Sequence, residues 1–148
     1  MSTAERYAAI LAELAAVDAA AATDGQRIDS LTWLERIKSA AAAAQARLTD
    51  SFAVSQREKL IKAGAKSQDA SRSITAQVAL ARKDGPHTGS RHVGLAATLV
   101  HEMPRVLDTL GRGETSEWRC TIIARETAHL SAEQRAEIDA AIADQLHG

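Results

Sequence analysis

The sequence predicts an all-α protein, in which an alanine-rich helical hairpin is followed by a helix-turn-helix-like bundle of several helices. Hydrophobic residues make up 45% of the 148, yet aromatic residues only 3%, and alanine supplies much of the remainder. Alanine has the highest helix propensity, whereas the runs of β-branched and aromatic residues that are typical of strands are absent. Apolar residues also recur at spacings of three and four along most of the chain, which indicates amphipathic helices.

Residues 1–53 are predicted to form the alanine-rich hairpin. Its first helix spans roughly residues 3–22 and begins at a capping box formed by Ser2 and Glu5. The second runs from about residue 30 to about residue 53, and its short connection to the first predicts antiparallel packing. The apolar stripe of this second helix consists of Leu31, Leu34, Ile37, Ala41, Ala44, Leu48 and Phe52. Coiled-coil pairing with another subunit is the competing use of that stripe.

Residues 54–72 form a basic stretch, predicted as a helical extension that frays into a polar linker, because Gly64 weakens a helix. Residues 54–91 as a whole hold eight basic and three acidic side chains, whereas residues 1–53 and 126–148 are net acidic. A basic middle between acidic ends is either a binding surface for a polyanion or a solvated helix face.

Residues 73–148 are predicted to form the helix-turn-helix-like bundle, and we expect all three parts of the chain to make one compact unit. The bundle begins with helices over residues 73–83 and 90–102, separated by a cluster of helix-breaking residues. Ser90 is the predicted cap of the second of these helices. Three further helices are predicted, starting near Pro104, near Thr115 or Ser116, and at Ser131.

The two helices at residues 73–102 have the sequence appearance of a helix-turn-helix, whose second helix inserts its N-terminal end into the major groove of DNA. Arg91 could bind guanine through two hydrogen bonds, and the hydroxyls and free N–H groups at the helix start could hold a phosphate. The predicted DNA contacts are Arg82, Lys83, Thr88, Ser90, Arg91 and His92. A turn of about seven residues is longer than usual for this motif, so an ordinary helical hairpin is the alternative.

The sequence contains no recognisable catalytic constellation. The five histidines do not have the spacing of a helical metal site, and neither a phosphate-binding loop nor a nucleophile elbow is present. Cys120 is the sole cysteine, which excludes a disulfide framework and predicts a small buried apolar side chain. We therefore expect no enzymatic activity, no cofactor and no metal. A pocket that collected His101 and Glu102 would instead indicate an enzyme of unfamiliar type.

The N-terminus lacks the basic and apolar regions of a secretion signal, and no stretch approaches the length of a membrane span. These observations predict a cytoplasmic protein without a membrane partner.

Several segments resemble one bacterial family. They are Ala44–Leu48, Ser55–Arg57, Gln77–Arg82, Gly89–Ala96, Glu102–Pro104, Gly113–Arg119 and Ala124–Ala128. Together they are similar to the domain of unknown function 222 of the 13E12 repeat proteins, over roughly residues 30–145. The order of Ser90-Arg91-His92, Met103-Pro104 and Gly111 also resembles the central domain of the partition protein ParB, which has a helix-turn-helix.

In the 13E12 repeat family this domain commonly precedes an HNH endonuclease module, so the resemblance implies double-stranded DNA as the partner. The chain ends at Gly148 without the histidines and cysteines of that module, and we expect no nuclease activity from it.

The predicted function is DNA binding, accessory to or derived from an HNH-type nuclease or a regulatory protein. The alternative is a helical protein-interaction domain that forms a homodimer through the alanine-rich helices. A basic face around Arg82 and Arg91 favours the first, and a large exposed apolar stripe favours the second.

Overall fold

The computed structural model describes residues 1–146, and it confirms the all-α prediction. The described residues form seven α-helices and no strand. The helices are α1 Thr3–Ala15, α2 Asp24–Lys62, α3 Ser67–Arg82, α4 Pro86–Ala97, α5 Pro104–Gly111, α6 Glu117–Glu126 and α7 Ala132–Ile142. A π-helix, Thr98–Glu102, follows α4, and a 3-10 turn, Ala143–Gln145, follows α7. None of these helices is long and apolar enough to cross a membrane.

The chain divides into two compact units, Met1–Leu34 and the residues from Glu35 onward. The division falls within α2. The basic stretch 54–72 is largely helical, because residues 54–62 are the end of α2 and residues 67–72 begin α3. The early start of α3 has a packing reason, since Ala70 is fully buried and Ser71 accepts a hydrogen bond from the Arg57 guanidinium at 3.0 Å.

Local hydrogen bonds shift the helix boundaries of the first unit. The predicted capping box of α1 is present, with the Ser2 hydroxyl accepting from the Glu5 amide at 3.2 Å. The helix ends at Ala15, well before residue 22, and the Asp18 carboxylate accepts from the Ala21 amide in the turn that follows. A second capping box, between Thr23 and Gln26, starts α2 at Asp24, where the sequence predicted a helix end.

The first unit leaves its large apolar side chains in contact with solvent, and α1 contributes no buried residue. These side chains are 37–68% exposed: Tyr7, Ile10, Leu11, Leu14, Val17, Ile28, Leu31 and Trp33. A unit of this size has too little volume to bury its own apolar surface.

The core of the second unit is built where the small side chains of α2 meet bulkier ones from later helices. Ala42, Ala43 and Ala46 are buried on α2. Against them pack Leu99 of the π-helix, Met103, and the α5 residues Val106, Leu107 and Leu110. Cys120 of α6 is completely buried in the same core, which confirms its predicted place. This burial raises the pKa of the Cys120 thiol to about 12.

The larger apolar stripe of α2 faces outward in the second unit and does not contribute to the core there. Ile37 is 43% exposed and Leu48 is 62% exposed, and Ala41 and Ala44 between them are also exposed. The buried side of the helix carries smaller residues because they allow the axes of neighbouring helices to approach closely.

A buried carboxylate on α7 caps the N-terminus of α5. Asp139 accepts hydrogen bonds from the backbone amides of Arg105, at 3.0 Å, and Val106, at 2.8 Å. Pro104 occupies the first position of α5, where a missing N–H costs nothing. The negative charge also interacts favourably with the helix dipole, so Asp139 ties α7 to the core.

Replacing Asp139 with alanine is expected to lower the free energy of unfolding by about 2 kcal/mol, because one buried amide and one partly buried amide lose their acceptor. Urea denaturation followed by circular dichroism measures this change. Asp144→Ala, at an exposed position of the same end of the chain, is the control and should leave the midpoint unchanged. Equal midpoints for the two variants would contradict the capping role.

The Cys120 thiol is expected to react with Ellman's reagent only as fast as the protein opens, because the group is buried and its pKa is near 12. Reaction in denaturant should be immediate. Stoichiometric labelling of the native chain within the mixing time would show that the thiol is accessible and would contradict its burial.

Candidate nucleic-acid interface

Helices α3 and α4 are joined by a three-residue turn, Lys83-Asp84-Gly85. Lys83 has a left-handed backbone with φ 57°, and the Asp84 amide donates to the Ala79 carbonyl at 2.8 Å, as in a Schellman motif. Pro86 is the first residue of α4, a position that suits its fixed φ. The predicted seven-residue turn and the predicted cap at Ser90 are therefore wrong, because the Gly-Pro pair starts a helix here.

The axes of α3 and α4 approach closely at Gly89, which is buried. A Cβ atom at this position would lie 2.7 Å from the Ala79 Cβ and 2.9 Å from the Thr75 carbonyl oxygen. Such distances leave no room for a side chain. A three-residue turn has the length that is usual in a helix-turn-helix, and short turns also join ordinary helical hairpins.

The imidazole of His92 lies beneath the surface of this unit, with only 16% of the side chain exposed. Its Nε2 atom is 3.1 Å from an Asp84 carboxylate oxygen in the turn, and its Nδ1 atom is 3.9 Å from a Glu117 carboxylate oxygen. The ring thus links the turn, α4 and the start of α6. His92 was predicted as a DNA contact, and in this position its visible role is to hold α4.

The outward face of α4 is formed by His87, Ser90, Arg91 and Gly94, all of which are exposed. Their spacing of three and four residues puts them on one side of the helix. A Cβ atom on Gly94 would meet nothing within 4 Å, so the face is flat at that end. Ser90 and Arg91 were predicted from the sequence. His87 was missed because the helix was expected to start at Ser90, and Gly94 lay within the predicted helix but was not singled out because it has no side chain.

The remaining predicted contacts surround this outward face. Thr88 is half-buried and lines a shallow depression together with Arg91 and Thr121 of α6. Lys83 is exposed in the turn, beside the start of α4. Arg82 is half-buried at the end of α3 and borders the groove between α2 and α3. The segment from α3 to α4, residues 67–97, holds four basic and two acidic side chains, which makes it net positive.

His101 and Glu102 have different partners. The Nε2 atom of His101 is 2.8 Å from a carboxylate oxygen of the largely buried Asp50, at an open groove between α2 and α4 with a volume of about 660 Å³. Glu102 pairs instead with the half-buried Arg135 of α7. The two residues therefore do not form a pair with each other.

No protein-family model, curated protein or solved structure matches the chain. The resemblance to the domain of unknown function 222 stays a prediction that depends on the quoted segments alone. The geometry of α3, the turn and α4 is then the main basis for a functional inference.

Gly89→Ala is expected to lower the free energy of unfolding by about 1–3 kcal/mol, because the new methyl group overlaps Ala79 and the Thr75 carbonyl. Gly94→Ala is the matched control on the same helix. It should raise stability by about 0.5–1 kcal/mol, since alanine is the better helix former and the site is open. Urea denaturation of both variants measures the difference, and a change of the same sign in the two would contradict the close contact.

Proposed function

We propose that the chain binds double-stranded DNA by placing the N-terminal half of α4 in the major groove. The observation that carries this proposal is the three-residue turn between α3 and α4, followed by an exposed helix face of His87, Ser90, Arg91 and Gly94. A second helix held in this way against the first is the part that enters the groove in helix-turn-helix proteins.

The side chains of the outward face suit base contacts. Arg91 can donate two hydrogen bonds to the O6 and N7 atoms of guanine, the most frequent specific contact in the major groove. Ser90 and His87 add donors or acceptors on the same side of α4. Gly94 has no side chain, which lets the helix lie close to the floor of the groove.

The surroundings of α4 suit the phosphate backbone. The amides at the N-terminus of α4, together with Thr88, can hold a phosphate, and the helix dipole favours the negative charge there. Lys83 lies in the adjacent turn, and residues 54–91 carry a net charge of +5. These groups give affinity without sequence preference, whereas base contacts give specificity.

The resemblance to the 13E12 repeat family supports the same partner, since it implies DNA. It also supports an accessory role, in which this chain positions DNA for an HNH-type nuclease or acts as a regulatory protein. The proposed mechanism is binding alone, and no catalytic step is assigned to the chain.

Arg91→Ala is expected to weaken binding at least fivefold to a duplex that the unmodified chain has selected from a random-sequence pool, because a bidentate base contact is worth about 1–3 kcal/mol. Fluorescence anisotropy at several salt concentrations measures the affinity. Arg6→Ala, at an exposed arginine of α1, is the control and should bind like the unmodified chain.

Lys83→Ala tests the phosphate contact in the same titrations. It should reduce the slope of log affinity against log salt concentration by about 0.9, as expected for one lost phosphate contact. No binding at low salt, or equal affinities of the Arg91→Ala and Arg6→Ala variants, would sink the proposal.

A further inference from the structure

The groove between α2 and α3 is lined mainly by apolar atoms and lies wholly within the second unit. Its volume is about 420 Å³. Leu48 and Phe52 belong to its wall on α2, and Val78 and Ala81 belong to its wall on α3. The lining residues of α2 run from position 45 to position 52, which corresponds to about 10 Å of helix. A small molecule of medium length can therefore lie along the groove.

Arg82 is the charged residue of this groove, since the other residues that line it are uncharged. It is half-buried, and within residues 1–146 its guanidinium has no hydrogen bond or ion pair. A guanidinium carries a positive charge and five N–H donors, and a charge beside apolar walls is costly unless it is paired. The groove is therefore complementary to a ligand that has one negative group and an apolar body.

An acidic residue of the chain lies near Arg82 without pairing to it. Glu117 and Arg82 both line a small adjoining space of about 10 Å³. Within residues 1–146 the two form no ion pair, and the Glu117 carboxylate lies instead 3.9 Å from the Nδ1 atom of His92. Since 37% of the Glu117 side chain is exposed, solvent screens its charge. The charge of Arg82 thus remains available to a ligand.

We propose that this groove binds a small monocarboxylic acid with an apolar body. The carboxylate suits Arg82 because its two oxygens can accept two parallel hydrogen bonds from one guanidinium. The apolar body lies along Leu48, Phe52 and Val78, and its burial there removes apolar surface from water.

The remaining lining residues favour a single negative charge on the ligand. Gln45, Thr49 and Gln77 are polar and neutral, so a second charge would have no cationic partner in the groove. A phosphate monoester or a dicarboxylate carries such a second charge. The neutral amides and the hydroxyl suit a ligand with one carboxylate and few other polar groups.

Arg82 was also predicted to contact DNA, but its surroundings differ from those of the α4 contacts. Ser90 and Arg91 are exposed on the outward face of α4, whereas Arg82 is half-buried between α2 and α3. Apolar walls suit an alkyl chain better than the hydrated phosphates of DNA. The acid site goes beyond the proposed function, and its ligand binds whether or not the chain binds DNA.

Isothermal titration calorimetry on the full chain tests the site, with sodium decanoate below its micelle-forming concentration as the probe. One decanoate per chain should bind saturably. Decanol has the apolar body without the charge, and acetate has the charge without the body. Each should bind at least about tenfold more weakly than decanoate, because each loses one half of the interaction.

Two variants test the position of the ligand. Arg82→Gln should weaken decanoate binding about tenfold, because the charge-assisted hydrogen bonds are lost. Ala81→Phe should also weaken it, because the added ring occupies the groove. Arg72→Gln is the matched control on α3, since Arg72 lies outside the groove and is 4.0 Å from Asp69, and it should bind decanoate like the unmodified chain. Circular dichroism checks that all three variants keep their helix content.

No saturable binding of decanoate, equal affinities for decanoate and decanol, or unchanged binding by Arg82→Gln overturns the proposal. An Arg82→Gln chain that loses affinity for duplex DNA but keeps its affinity for decanoate identifies Arg82 as a phosphate contact, which also overturns it. A chain that binds decanoate as expected but no DNA contradicts only the proposed function, so the two failures are distinguishable.

Discussion

The close approach of α3 and α4 at Gly89 is the constraint on which the proposed interface depends. A side chain there would meet Ala79 and the Thr75 carbonyl, so the two helix axes are as near as backbone contacts allow. The turn of three residues then has no freedom to reorient α4, and the His92 imidazole holds Asp84 of that turn from the other side. These contacts fix the orientation of the outward face of α4, and a helix that is already held in place loses little entropy when it binds.

Small residues also determine how closely α2 packs against the core. Ala43 is completely buried against the core, whereas the bulk of that core comes from Leu99, Met103 and Leu110. Close contacts between small side chains bury little apolar area, so they need the larger residues of the π-helix and α5 around them. The carboxylate of Asp139 fixes the start of α5 in this arrangement.

Hydrogen-bonding side chains made many helix starts predictable from the sequence. The capping box at Ser2 is present, and so are the caps at Ser116 and Ser131, because each depends on two residues close in sequence. The start of α4 was not predictable in this way. Its Gly-Pro pair can end one helix or begin the next, and the choice depends on the left-handed backbone of Lys83, which lysine rarely adopts. Once the start is placed at Pro86, the spacing alone adds His87 to the candidate site.

The inner face of α2 was not predictable because periodicity identifies apolar stripes but does not tell which of two is buried. Both stripes of this helix are apolar. Which one is buried depends on how closely it lets α2 approach the core. The alanine stripe lets α2 approach the core closely, while Ile37 and Leu48 would hold it away. The tertiary structure therefore buries the face with the small side chains and leaves the face with Ile37 and Leu48 in contact with solvent.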